Sequence, residues 1–169
     1  MPRAAPPYPG PAASAAEFAA GLQDETIALV AFTGLLQAEQ DALVQGDADR
    51  LAQLASQKTT QLELLTHLGE SRNRHLAAQN LNANAEGMLG WLNRNPGFAA
   101  AVRKIWRELL AQAEKAQQMN LNIGALIETR LQHNRIRLAV LQTAATPDGV
   151  YLPDGQLRPL RSARYLSQG

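Results

Sequence analysis

Three histidines, His67, His75 and His133, are the natural candidates for metal ligands in this 169-residue sequence. Metal sites in helical bundles use Glu-x-x-His pairs, because that spacing aims both ligands the same way. No such pair occurs: Glu63 and His67 are four apart and have no companions. The histidines are therefore expected on the surface or satisfied by neighbours, with no metal and no cofactor. A nucleophile needs an activating base and a shaped pocket, and neither G-x-S-x-G nor a phosphate-binding or dinucleotide turn is present. Arg103, Lys104 and Arg107 cluster around Trp106, which suits a solvated helix start better than a phosphate site. No enzyme is expected.

The polar residues that interrupt apolar faces carry more information. Glu25 and Glu39 are fourteen apart, as are Lys58 and Arg72, and Asn120 and Asn134. A buried Asn weakens a helical seam but fixes register and partner choice. The charged residues either reach solvent along the seam's edge or form structural ion pairs. If the two helices that carry them run antiparallel, facing positions have a constant sum. Glu39 with Lys58, Glu25 with Arg72, Phe32 with Leu65, Leu43 with Leu54 and Leu29 with Leu68 all share the sum 97.

Long helices must position these residues. Proline is excluded from helix interiors, and the nine prolines fall at 2, 6, 7, 9, 11, 96, 147, 153 and 159. They leave 12–95 and 97–146 clear, both rich in good helix formers. The expected fold class is all-α: an antiparallel bundle of three long helices plus a short helix, with extended N- and C-terminal tails. Residues 1–13 form an Ala/Pro-rich lead expected to be disordered, 14–145 the bundle, and 146–169 a non-helical Pro/Gly/Arg tail.

Ser14 and Glu17 make a capping box that predicts a first helix from about Ala15 to Gln45. Leu22, Leu29, Leu36 and Leu43 recur every seven residues along it. Gly46-Asp47 predicts a helix stop followed by an N-cap. The second helix then runs to about Gln79, with Leu51, Leu54, Leu62, Leu65, Leu68 and Leu76 facing inward. Residues 80–85 read as a loop, and Glu86 to Leu92 as a short helix closing one end. Asn95 and Pro96 start the third long helix, whose face is Asn120, Gly124, Ile127, Leu131, Asn134, Leu138 and Leu141. Residues 97–144 would span about 70 Å against about 45 Å for each partner. Leu131, Leu138 and Leu141 are thus expected to lie beyond full coverage. With Tyr151 and Leu152, between two Pro-Asp-Gly turns, they are the candidate partner-binding residues.

Charge and hydropathy bound the rest. Sixteen basic and fifteen acidic residues give a net charge of +1, which is no nucleic-acid footprint. The absence of cysteine excludes disulfides and fits a cytoplasmic location. The longest apolar run, Ile27 to Phe32, is far short of a membrane span, and Ala4 to Gly10 lacks the apolar core of a secretory signal. No membrane insertion is expected.

The order of these residues resembles the FlgN family of flagellar type III export chaperones. It lies in Leu35-Leu36, Glu39 and Leu43 before Gly46-Asp47; in Leu51, Leu54, Lys58, Leu65, Leu68 and Arg72; in Asn120-Leu121-Asn122, Leu126-Ile127, Leu138 and Leu141; and in Tyr151 through Gln156. The resemblance covers about residues 15–156; the Pro-rich lead and the Arg-rich end have no counterpart. It implies a cytoplasmic chaperone that binds the C-terminal segments of the hook-associated proteins FlgK and FlgL and delivers them to the flagellar export machinery. The alternative is a structural or scaffolding bundle that self-associates through its seams, for instance as a homodimer.

Overall fold

The computed structural model describes residues 11–145, 149–151 and 157–159, and the side chains of residues 14–142. Four helices dominate: α1 (Pro11–Gln45), α2 (Ala48–Ala78), α3 (Ala85–Arg94) and α4 (Pro96–Ala145). The chain divides into two compact units, Met1–Leu126 and Ile127–Gly169, so that α4 contributes residues to both. In the second unit, β1 (Gly149–Tyr151) and β2 (Leu157–Pro159) pair antiparallel, Val150 opposite Arg158. This pair of three-residue strands was not expected from the sequence.

The helix ends follow from local chemistry. α1 begins at Pro11, a residue suited to a first helical position, and Ser14 lies inside the helix. The α1–α2 turn is a Schellman stop. Gly46 takes φ 77°, Asp47 N–H donates to the Ala42 carbonyl at 3.0 Å, and Gly46 N–H to that of Leu43 at 3.3 Å. The Asp47 carboxylate then accepts from Arg50 N–H at 2.9 Å and caps α2. The same device recurs after α2, where Asn80 takes φ 55° and Leu81 N–H donates to the Leu76 carbonyl at 3.0 Å. Asn84 caps α3 through Gly87 N–H at 2.9 Å. Asn95 departs from expectation. Its side-chain amide donates back to the Trp91 carbonyl at 2.9 Å, so it closes α3, while its backbone carbonyl accepts from Phe98 N–H at 3.0 Å.

One hydrophobic cluster in the first unit draws on all four helices. The four heptad leucines of α1 are buried with Phe18 and Phe32, against Leu76 of α2 and Met88, Trp91 and Leu92 of α3. α4 contributes Val102, Leu109, Ala116, Met119 and Ile123. Their spacings of seven, seven, three and four are a heptad stripe. α1 is long and apolar enough to cross a bilayer by length and composition; its heptad leucines and both phenylalanines lie in this core and its Glu25 and Glu39 in ion pairs, while Ile27, Val30 and Val44 are exposed.

Two faces differ from those read in the sequence. Leu62 of α2 is exposed. The seam position beside it belongs to Gln61, whose Nε2 donates to the Ala28 carbonyl at 2.8 Å. In α4, Asn120 and Gly124 are exposed, and the buried stripe runs one residue earlier through Met119 and Ile123. Asn134 is exposed as well. The two asparagines therefore play no buried register role within the chain.

Candidate partner-binding site

The polar interruptions of the α1 and α2 faces come together. Lys58 Nζ lies 2.5 Å from Glu39 Oε2, and Arg72 Nη1 lies 2.6 Å from Glu25 Oε1. Two pairs with one common sum require α1 and α2 to run antiparallel. The Glu39–Lys58 pair keeps some contact with solvent. Glu25 is buried, and its Oε2 has no hydrogen-bond partner. Burial therefore pushes the Glu25 carboxyl above its ordinary range, and the adjacent Arg72 pulls it back only in part. Arg72 also lies over the Trp106 ring, 5.4 Å from its centroid, which ties α4 to the same seam through a cation–π contact.

Toward the α3 end, a cavity of about 170 Å³ is lined by Glu17, Phe18, Gly21, Leu22, Leu68, Ser71, Arg72 and His75. Phe18 stacks on the His75 ring at 4.3 Å and meets Trp91 at 4.6 Å. Trp91 Nε1–H donates to His75 Nε2 at 3.3 Å, and the Gln79 amide nitrogen lies 3.0 Å from the same atom. A ring nitrogen that receives two donors must be unprotonated, which places the imidazole proton on Nδ1. Burial agrees, lowering the His75 pKa against the smaller opposing effect of Glu17. This arrangement was not legible beforehand, since no periodicity links α2 to the short helix beyond the loop. His67 and His133 are exposed. Among the described residues no three His, Asp or Glu side chains stand together as metal ligands. Arg103, Lys104 and Arg107 are exposed on α4.

The second unit presents a different surface. Every residue from 127 to 142 is exposed. Leu131, Leu138 and Leu141 are 45%, 58% and 64% exposed, and together with Ile127 they lie at helical spacing on one stripe, with Asn134 in its middle. A shallow groove of about 500 Å³ runs beside it, lined by Ile136, Arg137, Val140 and Leu141. Ile136 and Val140 extend the apolar surface and were not among the residues singled out in the sequence. Tyr151 lies in β1 opposite Leu157; its side chain and the whole of Leu152 fall outside the described residues.

A sixteen-residue stretch of helix with an apolar stripe turned to solvent is a surface that calls for a partner. A family model described as FlgN protein matches residues 14–159. The chain belongs to the FlgN family. Searches of curated proteins and of solved structures found no match. The FlgN match takes in all of α2, α3 and α4, the hairpin strands and the exposed stripe. It begins at Ser14, inside α1, and leaves the Pro-rich lead and the last ten residues outside.

Proposed function

We propose that this protein is a cytoplasmic, non-catalytic chaperone for flagellar export, built as a three-helix antiparallel bundle. α1, α2 and the part of α4 up to Leu126 form the bundle, and α3 closes one end. The clients are the C-terminal segments of the hook-associated proteins FlgK and FlgL, which it holds unassembled and hands to the export machinery. Membership of the FlgN family supports the class of function. The observation that carries the binding site is the exposure of Leu131, Leu138 and Leu141 on one helical stripe. An amphipathic client segment can lay its own apolar face along such a stripe, with the knobs of one helix entering the gaps of the other. Tyr151 and Leu152 are accessory contacts in this reading.

Copurification with FlgK or FlgL C-terminal segments tests it. The wild-type chain should form a stoichiometric complex. Leu131→Gln with Leu138→Gln, which keeps helix propensity, should abolish the complex and leave thermal melting within about 0.5 kcal/mol of wild type. Undiminished binding by that double variant would move the site elsewhere.

A further inference from the structure

We infer that the exposed stripe of α4 takes an amphipathic helix with acidic flanks, and that its own charges disfavour pairing with a second copy. The inference rests on the client-binding reading above. In heptad terms Ile127, Asn134 and Leu141 share one core position, and Leu131 and Leu138 the other. The positions flanking the stripe on one side hold Arg130 and Arg137; those on the other hold Glu128, Arg135 and Gln142. One edge is therefore basic and the other mixed, with three arginines to one acid across the five positions.

Two copies would meet like charge in either orientation. Parallel helices set one flank against the opposite flank five residues on, which brings Arg130 of one copy to Arg135 of the other. Antiparallel helices set like flank against like flank: with Leu131 facing Leu141 and Leu138 facing Asn134, Arg135 and Arg137 each meet their own counterpart, and one heptad along Arg130 meets Arg137, with Glu128 opposite Arg135. Repulsion of this kind excludes wrong partners. A helix carrying Glu or Asp at the facing positions meets complementary charge instead, and that attraction weakens with salt. Asn134, alone in the apolar stripe, adds a second requirement: the partner needs a polar side chain opposite it.

Two designed three-heptad peptides with the same leucine stripe, one flanked by Glu and one by Lys, serve as probes. Dye-labelled, they are titrated with the full-length chain and followed by fluorescence anisotropy. The wild-type protein should bind the Glu peptide roughly tenfold more tightly than the Lys peptide. The preference should shrink in 1 M salt and invert in the R135E/R137E variant. In sedimentation velocity the wild-type chain should remain a monomer at the assay concentrations. The inference is overturned if neither peptide binds, if the Lys peptide binds equally well, or if R135E/R137E leaves the preference unmoved. It is equally overturned by a wild-type dimer that dissociates on Leu138→Gln, since a second copy would then be the occupant. Loss of the FlgK or FlgL complex in the Leu131/Leu138 variant, combined with indifference to peptide charge, would remove this inference and leave the client reading standing.

Discussion

Glu25 sits where burial and pairing pull against each other. Its Oε1 accepts from Arg72 while its Oε2 has no partner. The two members of this pair should therefore respond unequally to substitution. Arg72→Met leaves a carboxylate in the seam without its cation and should destabilise by about 2–3 kcal/mol. Glu25→Gln removes the buried charge itself and keeps an acceptor for Arg72, so it should stay within about 1 kcal/mol of wild type. Urea unfolding at pH 7 measures both. The ion pairs were legible in the sequence because a tight hairpin forces a constant sum on facing positions, and only one register satisfies charge and leucine together. His75 was not legible, because Trp91 reaches it across a loop that no spacing rule spans. Its effect on stability has the opposite sign to that of Glu25. His75 has a lowered pKa in the folded state, so its contribution is present above its ordinary value of 6.5 and is lost as pH falls toward the folded value. Glu25 has a raised pKa, so its contribution is present below 4.5 and is lost as pH rises through the folded value. Between pH 7 and 5 the two partly cancel. His75→Gln should make the melting temperature fall less, or rise, across that window, and Glu25→Gln should make it fall more. Thermal melts by circular dichroism at pH 7, 6 and 5 check both signs.

At the scale of elements, breakers were more readable than caps: Ser14 lies inside α1 and the Asn95 side chain closes α3. Gly46-Asp47 and Pro96 mark helix ends through their own backbone chemistry and need no tertiary context. The phase of a long helix face does need it. Along α4 the buried stripe through Val102, Leu109, Ala116, Met119 and Ile123 reaches Leu126, and its continuation is occupied by Arg130, His133 and Arg137. A second apolar stripe begins one residue over, at Ile127. Extrapolating that second stripe backward leads to Gly124 and Asn120, which are exposed. Only the packing of the first unit tells the two phases apart. Met119→Ala should accordingly cost about 2–3 kcal/mol, whereas Asn120→Ala should change stability by no more than about 0.5 kcal/mol. Chemical denaturation of the two single variants measures the contrast. α3 offers a sharper case. A Cβ added at Gly87 would lie 1.7 Å from the Asn82 carbonyl oxygen, so Gly87→Ala must displace the loop before the helix. It should destabilise by about 2 kcal/mol or more, and the loss should appear as faster amide exchange at Trp91 and Leu92, the residues α3 lends to the core.

For the whole molecule, the core and the proposed binding face occupy different stretches of one helix. Up to Leu126 one apolar stripe of α4 is packed into a core shared with α1, α2 and α3, and Leu110 and Leu121 lie exposed off that stripe. Between Ile127 and Gln142 the apolar residues are exposed. The four-helix framework and the exposed leucines were both readable from proline placement and helix length. The stripe's phase from Ile127 to Leu141 was readable as well; that Gly124 and Asn120 do not extend it into the core was not. Hydrogen–deuterium exchange of the full-length chain, alone and with a FlgK or FlgL C-terminal segment, tests the central claim most directly. In the free protein, amides of 127–142 should exchange faster than those of the core helices, and client addition should slow them while the core from Phe18 to Leu126 stays unchanged. Protection of 127–142 already present without client, or client-induced protection confined to α1 and α2, would contradict it.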